Sequence, residues 1–240
     1  MVAVIPLTFL ALHMLYRNLL VVGGSSEIGA AIIRCAESNS YKVFSTQRSV
    51  DSSGLLMDVT SDESVKSAID QAIAISGTID AVVYAPALSI DGLIHTLSDE
   101  AWSKTFDVNL FGAARVVRHL LPHFIKARKG VFLFVSSTAA VRGATGAAPY
   151  SCSKAALNAL ALNIAHDYGR FNIRAYTVMP GYVDGGMLAH LPDEKKVVLA
   201  REASLKRLAT PDEVAHFCVA TLDSTYLTGT ALALDGGLTS

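Results

Sequence analysis

Ser137, Tyr150 and Lys154 are the side chains of this sequence whose types and spacing could do acid–base chemistry. Tyr150-Ser151-Cys152-Ser153-Lys154 puts a phenol and an amine at i and i+4, on one face of a helix, where their polar ends can converge. A phenol with an ordinary pKa of about 10 is a poor proton carrier at neutral pH. An ammonium beside it favours the phenolate and draws that pKa toward the working range. Ser136-Ser137 closes an apolar stretch, and the Ser137 hydroxyl, thirteen residues before Tyr150, could hold a carbonyl oxygen alongside the phenol. The alternative for the Tyr150–Lys154 pair is a buried tyrosine and a solvated lysine, and the pair by itself favours that alternative.

Chemistry of this kind needs a scaffold that brings distant residues together. From residue 19 onward, short apolar runs alternate with helical patterns, the mark of parallel strands joined by crossover helices. Strands are predicted at 19–23, 42–46, 80–85, 131–136, 174–178 and 231–234, most with consecutive apolar residues, as a sheet covered on both faces requires. Helix starts are marked by a capping box at Thr60-Ser61-Asp62-Glu63 ahead of a helix over 61–76, by Ser98 with Asp99 and Glu100, and by Thr210-Pro211-Asp212-Glu213. Right-handed crossovers then predict an α/β fold, a doubly wound Rossmann-type parallel sheet with helices on both faces.

The chain of 240 residues shows no repeat, low-complexity tract or linker, so residues 18–240 are expected to form a single domain, preceded by an apolar N-terminal extension over 1–17. That extension lacks a basic flank and is shorter than the roughly 20 apolar residues that cross a bilayer. Packing on the body or fraying is the expectation for it, and an interfacial membrane contact is the alternative. A net charge of -1 with 51% hydrophobic residues supplies a large core and no basic field for nucleic acid. Cys35, Cys152 and Cys218 are widely spaced, which argues against a disulfide framework and a zinc site and suits the cytoplasm. His119 and His123 share a helix face but lack a third ligand nearby, so no metal is expected.

In doubly wound sheets ligands bind beyond the carboxyl ends of the strands, where strand order reverses. After the first predicted strand comes Gly23-Gly24-Ser25-Ser26-Glu27-Ile28-Gly29, leading into a helix. Glycine lets a backbone approach a pyrophosphate, and a helix N-terminus offers free N–H groups and partial positive charge. Tight strand-to-helix packing explains such a turn equally well.

These residues together carry a resemblance. From about residue 17 to 240 the chain resembles the classical short-chain dehydrogenase/reductase family, in order and spacing. The family's Asn, Ser, Tyr and Lys tetrad falls on Asn109 in VNLFG, Ser137 in VSSTAA, and Tyr150 and Lys154 in YSCSK; Pro180-Gly181 and the ending TGTALALDGG also match. The resemblance implies that Tyr150 exchanges a proton with the substrate oxygen and that Ser137 orients the carbonyl. It further implies that Lys154 lowers the tyrosine pKa and binds the nicotinamide ribose, and that Asn109 supports a water-linked proton path to Lys154. Cofactor contacts are implied for Gly23, Ser25, Ser26, Ile28, Gly29, Asp58, Val59, Ala85, Pro180, Gly181 and Val183, besides Tyr150 and Lys154. Past the second strand Gln47 stands where an acidic residue would favour NAD(H), and Arg48 follows it; a guanidinium can pair with a 2′-phosphate, so NADP(H) is expected over NAD(H). Arg48 as an ordinary surface charge, and Asp58 as a turn acceptor near the following cap, are the alternatives.

The implied activity is an NADP(H)-dependent carbonyl reductase or alcohol dehydrogenase acting on a mainly apolar small molecule, in a homodimer or homotetramer. Ala139, Val141, Ala144 and Tyr182 are the expected pocket walls, with a lid over 182–192. Arg128, Lys129, Arg170 and Arg174 resemble the positive face on which ketoreductases of the family hold an acyl carrier protein, and solvated helix ends explain them as well. The sequence departs from the family pattern at Val22 for threonine, Glu27 for the middle glycine, Tyr84-Ala85-Pro86-Ala87 for NNAG, and Gly185 for a threonine. These departures motivate the rival reading, a catalytically weak or inactive regulatory or scaffold protein that kept the dinucleotide fold. With Ser26 as N-cap, Glu27 falls in the first helical turn, where the helix dipole favours a carboxylate; it competes with pyrophosphate only if it points inward.

Overall fold

Residues 17–49 and 54–239 are described by the computed structural model. The chain ahead of Arg17, and with it the expected extension, lies outside them, while Arg17 itself opens the first strand. Seven strands, β1 (Arg17–Val22), β2 (Tyr41–Gln47), β3 (Leu55–Leu56), β4 (Ala81–Tyr84), β5 (Gly130–Val135), β6 (Ile173–Pro180) and β7 (Ala231–Leu234), form one sheet in the order β3-β2-β1-β4-β5-β6-β7. All pairings are parallel, with Leu19 between Val43 and Ala81 and Phe134 opposite Thr177. Strand order reverses between β1 and β4, which fixes the crevice at their carboxyl ends as the ligand position of such a fold.

The helices are α1 (Glu27–Ser38), α2 (Asp62–Ser76), α3 (Asp99–Phe106), α4 (Gly112–Ala127), the short α5 (Ala139–Arg142), α6 (Ala148–Tyr168), α7 (Asp193–Glu202) and α8 (Pro211–Leu222). Alternate strand residues feed two cores. Leu20, Val22, Tyr84 and Phe132 face α2, α4 and α6, which contribute Val65, Val116, Leu120 and Leu157. Leu19, Val21, Val83 and Leu133 face α1 and α8, which contribute Ile32, Val214 and Cys218. Burying such a side chain stabilises the fold by roughly 1.5–3 kcal/mol, so both faces resist any shift of the strands that carry the site.

The predicted caps are present with one correction. Ser26, Ser98 and Thr210 each accept a first-turn N–H, and Glu213 completes the box at Thr210. At the head of α2 the N-cap is Ser61, which accepts from Ser64 N, so Thr60 and Glu63 form no reciprocal box. Thr60 is drawn instead into a turn in which its N–H and hydroxyl both donate to the Asp58 carboxylate, at 2.9 and 2.7 Å. The edge strand β3 was not predicted; two residues are too few to show a period. The helix announced by Ser98 runs on from α3 to α4 through a π-helical segment, Asp107–Phe111. Such widened turns concentrate at functional sites, and this one buries Asn109.

Candidate active site

Ser137 follows β5 and Tyr150 stands in the first turn of α6, where Pro149 is tolerated because the first helical N–H groups need no partner. Lys154 comes one turn later on the same face. Its side chain is 1% exposed, its Nζ donates to Val135 O at 2.8 Å, and it lies 5.7 Å from the Tyr150 ring centroid. Ser137 hydrogen-bonds the Tyr150 phenol, while its own Oγ accepts Ala139 N–H at 3.1 Å. Ser137, from beyond β5, thus meets the Tyr150–Lys154 pair of α6 in one corner.

Burial sets their proton affinities. It pushes the Tyr150 phenol above its ordinary range, and the Ser137 hydrogen bond offsets part of that rise. It pushes Lys154 down to about 7. The expected lowering of the phenol by an adjacent ammonium is therefore not what the structure holds. Desolvation penalises the charged form of both groups, and near neutral pH the amine has lost much of the charge that would have acted on the phenol.

Asn109 is fully buried and its amide is committed. Its Oδ1 accepts Leu88 N–H at 2.7 Å, and its Nδ2 donates to Leu88 O at 2.9 Å and to Ser153 Oγ at 2.8 Å. Ser153 in turn donates to Tyr150 O at 2.8 Å. The side chain thereby ties the segment after β4 to the first turn of α6. Sequence reasoning missed Ser153 and Leu88. Ser153 lies inside the YSCSK motif and is legible as the inward residue of its turn, whereas nothing in the type of Leu88 announces its backbone role.

The residues expected to hold a dinucleotide lie together at the carboxyl edge. Gly23 to Gly29 follow β1, Arg48 follows β2, Asp58 and Val59 follow β3, Ala85 follows β4, and Pro180 to Val183 end or follow β6. Gly23 has φ +82°, and a Cβ on Gly29 would overlap the Gly23 carbonyl, so both positions require glycine. Ser26 accepts Gly29 N–H at 3.0 Å and donates to Gly23 O at 2.9 Å, which fixes the turn. The N–H groups of Glu27 and Ile28, in the first turn of α1, have no carbonyl one turn earlier to accept them. This cradle fits a phosphate-bearing dinucleotide. Glu27 does not fill it, because its Oε2 accepts Gly186 N–H at 2.8 Å across the crevice. Pro86 packs against Gly23, and Ala85 N–H is taken by Val22 O at 3.1 Å, so this segment offers carbonyls rather than donors. Asp58 takes the turn-acceptor role, its carboxyl held below the usual range chiefly by the Thr60 hydroxyl. Arg48 is exposed.

On the substrate side, α5 carries Ala139 and Val141, with Ala144 just beyond, and Val141 and Ala144 are exposed. Tyr182 is not a purely apolar wall. Its hydroxyl accepts from Arg142 and donates to Glu202, both at 3.1 Å, and Arg142 pairs with Glu202 at 3.0 Å, joining α5 to the end of α7. Arg128, Lys129, Arg170 and Arg174 gather at the amino ends of β5 and β6, opposite Ser137. Arg128 donates to Arg170 O at 3.1 Å, Lys129 pairs with Asp80 at 2.8 Å, and Arg174 caps Leu222 O at 2.6 Å and Leu227 O at 3.1 Å. His119 contacts Asp62 at 2.8 Å, and no group of three or more potential ligands among the described residues is arranged for a metal. Among the same residues, no helix is long and apolar enough to cross a membrane.

A family model described as enoyl-(acyl carrier protein) reductase matches residues 26–239. A 3-oxoacyl-[acyl-carrier-protein] reductase FabG of Chlamydia muridarum is 32% identical over 185 residues, covering 76% of this chain and 75% of its own. The cis-4-hydroxycyclohexanecarboxylate dehydrogenase of Sinomonas cyclohexanicum is 33% identical over 187 residues, again 76% and 75%. Among solved structures, ligand-free aldohexose dehydrogenase of Thermoplasma acidophilum superimposes with a TM-score of 0.86 at 28% identity, covering 94% of each chain.

Proposed function

Since this chain belongs to the short-chain dehydrogenase/reductase family and is an oxidoreductase of CH–OH and C=O groups, we propose that it works with NADP(H) on a small carbonyl compound or the matching alcohol. The observation that carries this reading is the array of Ser137, Tyr150 and Lys154 at the carboxyl edge that also carries the glycine turn. A scaffold protein has no chemical need for that array, which favours catalysis over the inactive alternative.

Gly23 to Gly29 would hold the dinucleotide phosphates and Arg48 a 2′-phosphate. Asp58, Val59 and Ala85 would line the adenosine side, and Pro180, Gly181 and Val183 the nicotinamide side. The dinucleotide supplies the hydride. Tyr150, kept protonated at neutral pH by burial, donates its proton to the carbonyl oxygen during reduction and takes it back during oxidation. Ser137 holds that oxygen within reach of the phenol. Lys154, poised near neutrality, is the group from which the phenol is reprotonated. Asn109 holds the first turn of α6 and the segment after β4 in register, and a water-linked route from Asn109 to Lys154 completes the proton path.

Ala139, Val141, Ala144 and Tyr182 favour a mainly apolar substrate, and residues 182–192 form its lid. A second reading, a 3-oxoacyl group on an acyl carrier protein, is favoured by the names of the FabG relatives, although Arg128, Lys129, Arg170 and Arg174, expected as the carrier's contact, lie at the opposite end of the strands from Ser137. Exposed Phe111 and Leu162, on the helical run through α4 and on α6, support a homodimer or homotetramer. Free cysteines throughout support the cytoplasm. In this reading residues 18–240 act as one domain. The test is nicotinamide absorbance with NADPH or NADH and two panels, apolar ketones and 3-oxoacyl thioesters. NADPH consumption with either panel supports the reading, a preference for NADH removes the cofactor assignment, and inactivity throughout removes the enzyme.

A further inference from the structure

Two departures from the family pattern, Glu27 and Gly185, lie 158 positions apart yet touch. Glu27 Oε2 accepts Gly186 N–H at 2.8 Å, and a Cβ built on Gly185 would overlap that same oxygen. Gly185 also has φ +149°. The side chain missing at 185 is thus the space that the carboxylate of 27 fills. Ahead of the contact the loop is anchored at Asp184. Asp184 N–H donates to Ala209 O at 2.8 Å, and the Asp184 carboxylate pairs with Lys196 of α7 at 2.8 Å. Lys196 also lies in the field of Glu27.

We propose that Glu27 is a positioning residue that straps the 184–188 loop across the crevice to the head of α1, and that its charge sets the affinity for the dinucleotide. The second half rests on the dinucleotide reading given above. The strap supplies from the protein a contact that orders the substrate-side loop before anything binds. The same carboxylate, on the first residue of a helix whose first N–H groups lack intrahelical acceptors, opposes an incoming anion. Loop order and anion affinity are therefore set in opposite directions by one side chain, and two substitutions separate them. Glu27→Gln keeps an oxygen for Gly186 N–H and removes the charge; Glu27→Ala removes both.

The experiment measures hydrogen exchange at Gly186 in the protein without ligand, and NADP+ binding by calorimetry. Relative to wild type, Glu27→Ala raises Gly186 exchange about 10-fold, the worth of a hydrogen bond to a charged acceptor, whereas Glu27→Gln raises it by less than about threefold. Both variants bind NADP+ more tightly, by roughly three- to fivefold, as expected for an exposed charge–charge term, and the gain shrinks at high salt. Gly185→Ala displaces the carboxylate, so it raises Gly186 exchange by a larger factor in the wild-type background than in Glu27→Ala; the backbone strain is common to both backgrounds and cancels in that ratio. Unchanged Gly186 exchange in Glu27→Ala overturns the strap, whatever the binding shows. Weaker NADP+ binding by Glu27→Gln overturns the charge assignment. No NADP+ binding in any of the proteins overturns the dinucleotide reading and the affinity half of the proposal, while the Gly186 exchange still decides the strap.

Discussion

Replacing Lys154 by Met should make the protein without ligand more stable, by an amount that depends on pH in a stated way. Burial lowers the amine from its ordinary value of 10.5 to about 7, so between those values the unfolded chain binds a proton that the folded chain refuses. Stability therefore rises with pH across that window, and the penalty is fully present below about pH 7. At about 1.4 kcal/mol per pKa unit the penalty is about 5 kcal/mol at pH 6 and about 2 kcal/mol at pH 9. Methionine fills similar space and carries no charge, so it removes the pH-dependent part. Loss of the bond from Nζ to Val135 O, worth about 1 kcal/mol, and the apolar gain of methionine are constant offsets. Urea denaturation of both proteins at pH 6 and pH 9 gives the difference directly, and the variant's advantage should shrink by about 3 kcal/mol between them. An advantage that is the same at both pH values would refute the claim that Lys154 is held against its charge.

Other consequences follow from single contacts. Gly29→Ala drives a Cβ into the Gly23 carbonyl, so the turn must open; dinucleotide binding, followed by fluorescence, should fall at least about 10-fold with a loss of stability of about 2 kcal/mol or more. Asn109→Ala strands the Leu88 N–H and carbonyl and takes from the Ser153 hydroxyl the bond it accepts, leaving the one it donates to Tyr150 O, which should cost roughly 3 kcal/mol in denaturant titrations and lower kcat more than it raises KM. Arg48→Ala should weaken NADPH about 10-fold and leave NADH nearly unchanged in paired titrations, as the loss of a guanidinium–phosphate pair predicts.

The fold was legible because its signals are local and repeated. Runs of consecutive apolar residues within 80–85 and 131–136 read as strands covered on both sides, and Ser26, Ser98 and Thr210 announce the helices that follow them. The corner of Ser137, Tyr150 and Lys154 was legible for a different reason: Tyr150 and Lys154 share a helix face, and the strand that ends at Val135 delivers Ser137 to the same edge. What stayed hidden depends on tertiary contact. Thr60 reads as part of a capping box until Asp58 claims it. Tyr182 reads as an apolar wall until Arg142 and Glu202 are seen to hold its hydroxyl. Glu27 reads as a defect in the glycine turn, and its partner at Gly186 lies in a loop with no sequence pattern of its own. The proton affinities were the least legible, since helical spacing predicts that an ammonium meets the phenol but not that burial removes its charge.

The most direct measurement is a single turnover with excess protein, NADPH and an accepted carbonyl substrate, comparing wild type with Tyr150→Phe after NADPH binding has been verified for both. Loss of the proton donor should slow nicotinamide oxidation by about 100-fold or more while NADPH affinity changes little. Equal rates in the two proteins, with NADPH bound in each, would contradict the assignment of Tyr150 as the group that moves the proton.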